Sequence, residues 1–128
     1  MYFKVRGPVK LQIAKSRVSG GGYGVFANAN IKAGEVLEMA PFIEIPKQLV
    51  YRQANLLQDY VFTSHINKGS VIVVFGYGSM YNHTLKNNVF YRVSKRNPER
   101  FLEFVALVDI SRGTELLINY GPHHQVNH

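Results

Sequence analysis

The segment Gly78–Tyr91, GSMYNHTLKNNVFY, places an amide and an imidazole directly after an apolar run. Asn82 and His83 follow Met80 and Tyr81, so their side chains are expected to lie in or beside the core. Burying a polar group without a partner costs about 1–3 kcal/mol, so such groups usually satisfy one another or a ligand. An isolated Asn-His pair is more often structural. Beside a glycine-rich loop it can also bind an adenine edge, because an amide offers both a donor and an acceptor.

Two other polar segments interrupt the apolar pattern, SGGGYGVFA at Ser19–Ala27 and GTELLINYG at Gly113–Gly121. The glycines of the first allow positive φ or a close approach to a ligand, although a tight hairpin turn is the simpler interpretation. It is not a phosphate loop, because no Gly-Lys-Ser/Thr follows. In the second, Tyr120 ends an apolar strand before a glycine, so its hydroxyl is either free at the strand end or satisfied within the core.

The length and composition restrict the class of protein. A chain of 128 residues suits one domain, 1–128, with one core. No apolar run approaches the roughly 20 residues that cross a bilayer, and the start lacks the apolar region of a signal peptide, which predicts an intracellular, non-membrane protein. The absence of cysteine excludes disulfides, thiolate zinc sites and a cysteine nucleophile.

The chain is basic, with 15 Lys and Arg against 8 Asp and Glu and a net charge of +7. Six of the basic residues precede the first acid, Glu35, and Lys95, Arg96 and Arg100 cluster in the segment SKRNPER. A basic face favours polyanions such as nucleic acid, but a solvated face that only aids solubility fits the pattern equally well.

Short strands account for most of the pattern. The predicted strands are VKLQIA, GVFA, a pair GEVLEM and FIEI broken at Pro41, VIVVF, a hairpin of NVFYRV and FLEFVALV, and ELLINY. One helix is predicted after Pro46, in KQLVYRQANLLQDY, with Leu49, Leu56, Leu57 and Tyr60 on one face.

The ordered segments GYGVFA, AGEVLEMAPFI, DYVF, YNHTLKNN and GTELLINYG resemble the motifs of SET-domain protein lysine methyltransferases. The likeness runs from about residue 15 to 121, and the short chain is similar to the minimal SET proteins of large algal viruses. It implies a mainly β (α+β) fold of several small sheets with one short helix and a knot-like C-terminal crossing. That crossing would bring Asn82 and His83 beside Tyr120, and residues 122–128 would form a flexible tail.

The same resemblance assigns a cofactor and the residues that bind it. S-adenosylmethionine is the implied methyl donor, S-adenosylhomocysteine is the product, and no metal takes part. Gly22, Tyr23 and Gly24 would line the methionine part of the cofactor, while Asn82 and His83 would hold its amino and adenine groups.

The resemblance implies catalytic roles for three tyrosines. Tyr120 matches the active-site tyrosine and also contacts the cofactor, Tyr60 flanks the lysine tunnel, and Tyr91 falls where some members bind the substrate amine. Asn88 would support the loop structurally. A lysine of pKa about 10.4 must lose its proton before it accepts a methyl group, and a dry aromatic tunnel disfavours the ammonium form.

Three departures from the family pattern stand in the C-terminal segment. Asn119 replaces a common aspartate, and Ile118 replaces an aromatic ring, which together with Tyr91 favours mono- or dimethylation. The tail PHHQVNH lacks the segment that usually closes the tunnel. Either Tyr77, a second subunit or the bound substrate completes the tunnel, or catalysis is weak. A homodimer is therefore one expected assembly.

The tail histidines His123, His124 and His128 are better interpreted as solvated than as metal ligands, because no carboxylate lies near them in sequence. His65 is interpreted as structural.

The expected substrate is a protein with an accessible lysine, and a histone is one candidate. A protein at +7 repels a basic tail unless Glu35, Glu38, Glu44 and Glu103 surround the tunnel, or unless the basic face contacts the DNA that carries the histone. The alternative is a catalytically weak or inactive SET-like module that binds a basic peptide or nucleic acid.

Overall fold

The computed structural model describes residues 10–18, 20 and 22–119. The chain is mainly β with one short α-helix, which confirms the predicted fold class. Its strands are β1 Leu11–Lys15, β2 Tyr23–Ala27, β3 Val36–Pro46, β4 Val61–Thr63, β5 Ser70–Val74, β6 Asn82–His83, β7 Val89–Val93, β8 Phe101–Ala106 and β9 Glu115–Ile118. The helices are α1 Lys47–Tyr51 and a 3-10 helix at Leu56–Asp59. Within the described ranges, neither helix has the length and apolar character needed to cross a membrane.

The last strand in sequence occupies an interior position of the first sheet, whose order is β1-β2-β9-β6. Strand β9 runs antiparallel to β2 and parallel to β6, where Asn82 pairs with Leu117 and His83 pairs with Ile118. The prediction that the C-terminal segment passes beside the Asn-His pair is therefore confirmed as far as β9. Tyr120 and the tail 122–128 lie outside the described residues.

Hydrogen bonds from Asn88 hold β9 against the segment that follows β6. Its Nδ2 donates to the Glu115 carbonyl at 2.9 Å, and its Oδ1 accepts from the Leu117 N–H at 2.8 Å. Its own backbone N–H donates to the Leu117 carbonyl at 3.2 Å. One amide side chain thus satisfies two backbone groups of β9, which agrees with the supporting role predicted for Asn88.

The second sheet has the order β4-β5-β3-β8-β7, and its β7–β8 hairpin was predicted correctly. The predicted break at Pro41 is wrong, because β3 runs through it as one strand of 11 residues. Up to Pro41 the strand pairs with β8, and from Phe42 onward it pairs with β5. Proline donates no hydrogen bond to a ladder, and here it stands where the strand changes its partner, so little pairing is lost.

A bulge in β3 turns a carboxyl group into the interior. The register with β8 shifts between Val36 and Glu38, so Leu37 and Glu38 are both buried. Glu38 accepts from the Tyr81 hydroxyl at 2.7 Å and from the Tyr77 N–H at 3.2 Å. Burial raises the pKa of Glu38, and these two hydrogen bonds oppose the rise.

The helix prediction was correct in place and wrong in extent. The chain leaves α1 at Tyr51 and forms the separate 3-10 helix, which Asn55 caps by accepting from the Leu57 N–H. The predicted apolar face does not form, because Leu49 and Leu56 are 69% and 72% exposed. Val50 is the residue of α1 that is buried.

The core draws on both sheets. Val25 and Leu116 of the first sheet belong to one cluster with Leu102 and Phe104 of the second. Tyr81, just before β6, stacks on Phe104 with ring centroids 4.7 Å apart and is 1% exposed. The residue before Asn82 is thus fixed in the core, which holds β6 in place.

We expect Asn88→Ala to destabilise the protein by about 2–4 kcal/mol, because it leaves the Glu115 carbonyl and the Leu117 N–H of β9 without a partner. Urea unfolding measures the change. Asn87→Ala is the matched control, since the Asn87 amide donates to the Val89 carbonyl two residues away and not to β9. Equal losses of unfolding free energy in the two variants would show that the Asn88 side chain does not stabilise the position of β9.

We expect wild-type stability to fall relative to Glu38→Gln as the pH rises above the ordinary glutamate pKa. Folding raises the pKa of Glu38, so its stabilising contribution is complete below the unfolded value and is lost as the pH rises through the folded value. Unfolding free energies measured at intervals from about pH 4 to 8 test this. The exposed control Glu99→Gln should give a nearly constant difference. A constant difference for Glu38→Gln as well would contradict the prediction.

Candidate functional site

A pocket of about 550 Å³ opens where three segments meet. The segment before and into β2 contributes Val18, Gly20, Gly22 and Tyr23. The end of the 3-10 helix contributes Asp59 and Tyr60, and residues 79–83 lead into β6. This volume lies in the range of small-molecule sites.

Five of the predicted site residues line this one pocket: Gly22, Tyr23, Tyr60, Asn82 and His83. They come from three separate parts of the sequence. The pairing of β9 with both β2 and β6 explains how the first and third parts meet. The glycine segment and the Asn-His pair, each ambiguous in isolation, thus lie at the same place.

Asn82 connects two walls of the pocket. Its Nδ2 donates to the Tyr23 carbonyl and to Glu115 Oε2, both at 3.1 Å. The parallel pairing with Leu117 fixes the Asn82 backbone. The amide that was expected to need a partner therefore has two.

Glu115, at the start of β9, is buried and accepts hydrogen bonds from two other segments of the chain. Besides the Asn82 amide, it accepts from the Ser16 hydroxyl at 2.6 Å and from the Arg17 N–H at 2.9 Å. Ser16 also donates its N–H to the Gly22 carbonyl at 2.7 Å. These bonds attach the β1–β2 connection to the strand that underlies the pocket.

The side of the pocket near Tyr60 is fixed by Ser79. The Ser79 hydroxyl contacts the Tyr60 carbonyl at 3.1 Å and the Val74 carbonyl at 2.8 Å. It has one proton, so the two carbonyls share it. The 3-10 helix end is thereby joined to the chain that follows β5.

Neither Gly24 nor Tyr91 lines the pocket. Gly24 is buried behind the pocket wall, where an added Cβ would overlap Glu115 Oε2 and lie 2.9 Å from Asn82 Nδ2. Tyr91 is in the core, with its ring 5.0 Å from Phe62 between centroids, and is not a lining residue. Tyr120 lies outside the described residues.

The acids expected around the tunnel do not line the pocket. Glu35 pairs with Lys10 and Glu103 pairs with Arg92, each at 2.7–2.8 Å. Glu44 accepts from Ser64 and Asn67, and Glu38 is buried behind Tyr81. Their partners lie 11–43 residues away in the chain, so the sequence alone does not show these pairings.

The pocket is nevertheless bordered by carboxyl groups. Asp59 lines it, Glu115 bonds the lining residue Asn82, and Glu38 bonds the lining residue Tyr81. No Lys or Arg occurs among the described lining residues. The described lining thus carries one acidic side chain and no Lys or Arg, in contrast to the net charge of +7.

Sequence reasoning assigned no role to Glu115 or Asp59. Both stand inside quoted motifs, Glu115 in GTELLINYG and Asp59 as the first residue of DYVF, so their sequence positions were available as a signal. The sequence does not show which residues contact them in space. Ser16, for example, bonds Glu115 from 99 residues away in the chain.

Two other predictions concern histidine and Tyr77. His65 has its ring edge against Phe42, 5.3 Å between centroids, and bonds the Pro98 carbonyl, which supports a structural role. Tyr77 packs against the core and does not line the pocket. No group of three or more His, Asp or Glu able to hold a metal occurs in residues 10–18, 20 and 22–119. The tail histidines lie outside these ranges.

Comparison with known sequences identifies similar proteins. Residues 22–121 match the SET domain family. The Schizosaccharomyces pombe histone-lysine N-methyltransferase specific for H3 lysine-37 is 28% identical over 93% of this chain and 77% of its own length. Chaetomium thermophilum EZH2 is 28% identical over 91% of this chain, which corresponds to 8% of that protein.

Comparison with solved structures agrees. A candidate histone methyltransferase of Plasmodium falciparum aligns with a TM-score of 0.73 and 29% identity, over 92% of this chain and 96% of that one. The polycomb repressive complex 2 of Chaetomium thermophilum, bound to S-adenosylmethionine, aligns with a TM-score of 0.74 and 25% identity. That match covers 93% of this chain and 16% of the other.

The order of the motifs, the β9 pairing and the family match over residues 22–121 agree with one another. They confirm, at the level of the family, the prediction of a protein-lysine methyltransferase that uses S-adenosylmethionine. The chain belongs to the SET domain family.

Proposed function

We propose that the protein transfers a methyl group from S-adenosylmethionine to a lysine ε-amine of a protein, and that the pocket beside β6 is the cofactor site. The observation that supports this most strongly is the parallel pairing of β6 with β9. It aligns His83 with Ile118, two residues before Tyr120 in sequence. This alignment supports the proposal that the cofactor-binding and catalytic motifs are neighbours.

The residues present suit this cofactor. The pocket volume of about 550 Å³ is adequate, and the carboxyl groups at its border favour a ligand that carries positive charge. Gly22 has a φ of +62°, a conformation that favours glycine and exposes backbone groups to a ligand. S-adenosylmethionine, when bound, supplies the methyl group and the sulfonium leaving group.

In this proposal the cofactor is held by Gly22, Tyr23, Asn82 and His83. Tyr23 is 65% exposed and offers its ring to the cofactor. Gly24 acts indirectly, because its missing side chain leaves room for Glu115 and Asn82.

Tyr60, Tyr91 and Tyr120 are proposed to border the substrate lysine. Burial raises the pKa of Tyr91 to about 12, so its hydroxyl stays protonated at neutral pH. Its oxygen can accept from an N–H of a neutral amine, which leaves the nitrogen lone pair available for attack. Enclosure by aromatic rings favours that neutral amine and fixes its direction of attack, from which most of the rate gain should come. The excess proton of the lysine leaves to solvent before attack.

A histone is the candidate substrate, by analogy with the relatives named as histone-lysine methyltransferases. Such a substrate would bring the protein to chromatin. The exposed basic residues Lys95, Arg96 and Arg100 would then contact DNA phosphates without sequence preference. A homodimer remains our proposal for closing the lysine end.

An inactive SET-like module that binds nucleic acid is the competing candidate, favoured by the same basic turn. The two candidates differ in cofactor binding. Calorimetry that detects no S-adenosylmethionine binding, together with salt-sensitive binding of duplex DNA, would decide against the enzyme.

We expect Tyr120→Phe to lower kcat by on the order of a hundredfold, the size typical when one preorganised hydrogen-bonding group at the reacting atoms is removed. Cofactor affinity and unfolding temperature should change little. Transfer of tritiated methyl to a lysine peptide gives kcat, and Tyr51→Phe, on an exposed ring of α1, is the control. Undiminished turnover would remove Tyr120 from the mechanism.

We expect Asp59→Asn to raise KM for a basic peptide roughly two- to fivefold at low salt, as for loss of an exposed ion pair. The effect should shrink at high salt and be absent for a peptide with neutral residues around the lysine. Initial rates with both peptides provide the measurement, and Glu99→Gln controls for the change in net charge. The same KM increase for both peptides would argue against charge recognition by Asp59.

A further inference from the structure

We propose that Glu115 is a positioning residue that sets the orientation of the Asn82 amide, so that the pocket offers the oxygen Asn82 Oδ1 to the α-ammonium group of the cofactor. This inference rests on the proposed function and adds a residue to it. Glu115 itself is expected to touch no substrate or cofactor.

The amide orientation follows from the chemistry of its two neighbours. The Tyr23 carbonyl can only accept, and a carboxylate can only accept, so both require the NH2 end of Asn82. The distances of 3.1 Å to each match two N–H donors used on two acceptors. Asn82 Oδ1 is not used by these bonds, and it belongs to a residue that lines the pocket.

Glu115 is fixed firmly enough to impose that orientation. The Ser16 hydroxyl and the Arg17 N–H donate to it from the β1–β2 connection, in addition to the Asn82 amide. Among the described residues, three donors bond to the group and no acceptor does, as suits an acceptor-only carboxylate. It is 7% exposed, so water competes little for these bonds.

Gly24 is the second observation that supports the arrangement. A Cβ there would overlap Glu115 Oε2 and lie 2.9 Å from Asn82 Nδ2. An added methyl group would therefore have to displace the contact between these two side chains. No positive φ requires glycine at position 24, so the close approach of the pair is the reason for its absent side chain.

With Asn82 Oδ1 presented to it, the pocket should favour a ligand that carries a hydrogen-bond donor at this position. An acceptor at the pocket wall, backed by a buried carboxylate, stabilises an ammonium and repels a carboxylate. A glutamine at position 115 offers both a donor and an acceptor, so the Asn82 amide could rotate and present its NH2 to the pocket instead.

Calorimetry on the apo protein tests the proposal with two ligands, S-adenosylhomocysteine and its analogue that lacks the α-amino group. In the wild type the amino group should increase affinity about tenfold or more, as for a hydrogen bond to a charged group. In Glu115→Gln this advantage should fall to about twofold or less, while the analogue should bind nearly as it does to wild type. The comparison forms a cycle that isolates the coupling between the ligand amino group and Glu115.

Glu103→Gln is the matched control, because it makes the same change of charge at a residue that pairs with Arg92 and does not line the pocket. It should leave the advantage of the amino group intact. If Glu115→Gln does not fold, Gly24→Ala serves as the second variant, and it should reduce the same advantage by displacing Glu115.

The outcomes distinguish a failure of the proposed function from a failure of the role proposed for Glu115. No binding of S-adenosylhomocysteine or S-adenosylmethionine to wild type would contradict the proposed function. Binding with an amino-group advantage equal in wild type and in the folded variant would overturn the role of Glu115 and leave the proposed function standing. Equal weakening of both ligands would mean that Glu115 only supports the fold.

Discussion

The insertion of β9 between β2 and β6 is the constraint on which the site depends. It joins residues 25–26 of β2 to the last described strand, and joins that strand in turn to Asn82 and His83. Closing the loops between these segments has an entropic cost, and side-chain hydrogen bonds help to offset it. Asn88 and Glu115 provide these bonds. The Asn88 amide bonds two backbone groups of β9, and the Glu115 carboxyl group accepts from two groups of the β1–β2 connection.

The polar groups buried around this strand all take part in specific hydrogen bonds. An unpaired buried carboxyl group or amide costs about 1–3 kcal/mol or more, and each one here has specific partners. Glu38 holds the hydroxyl of Tyr81, whose ring stacks on Phe104, and Tyr81 is the residue before Asn82. Burial and the neighbouring carboxyl raise the pKa of Tyr81 well above its usual value, so its hydroxyl remains a donor. The pocket wall is thus fixed from the core outward.

The sequence predicted the features that depend on local pattern or on ordered motifs. The β7–β8 hairpin, the short helix after Pro46 and five of the pocket residues were all predicted from it. The predictions were wrong where the structure depends on contacts between residues that are distant in the chain. Pro41 looked like a strand break because a change of strand partner has no sequence signature. Likewise, Leu49 and Leu56 suggested a helical face, but the chain turns at Asn55 and exposes both.

Net charge was the least reliable guide to the ligand. At +7 the protein as a whole should repel a cation, yet charges more than about 8 Å apart at the surface are largely screened at physiological ionic strength. What a bound ligand experiences is the local wall, where Asp59, Glu115 and Glu38 lie at or behind the lining and the described lining carries no Lys or Arg. Two of those three carboxyl groups are buried, where screening by salt is weakest. A basic protein can therefore hold a cationic cofactor and attract a lysine, while its exposed cations remain available for an anionic partner.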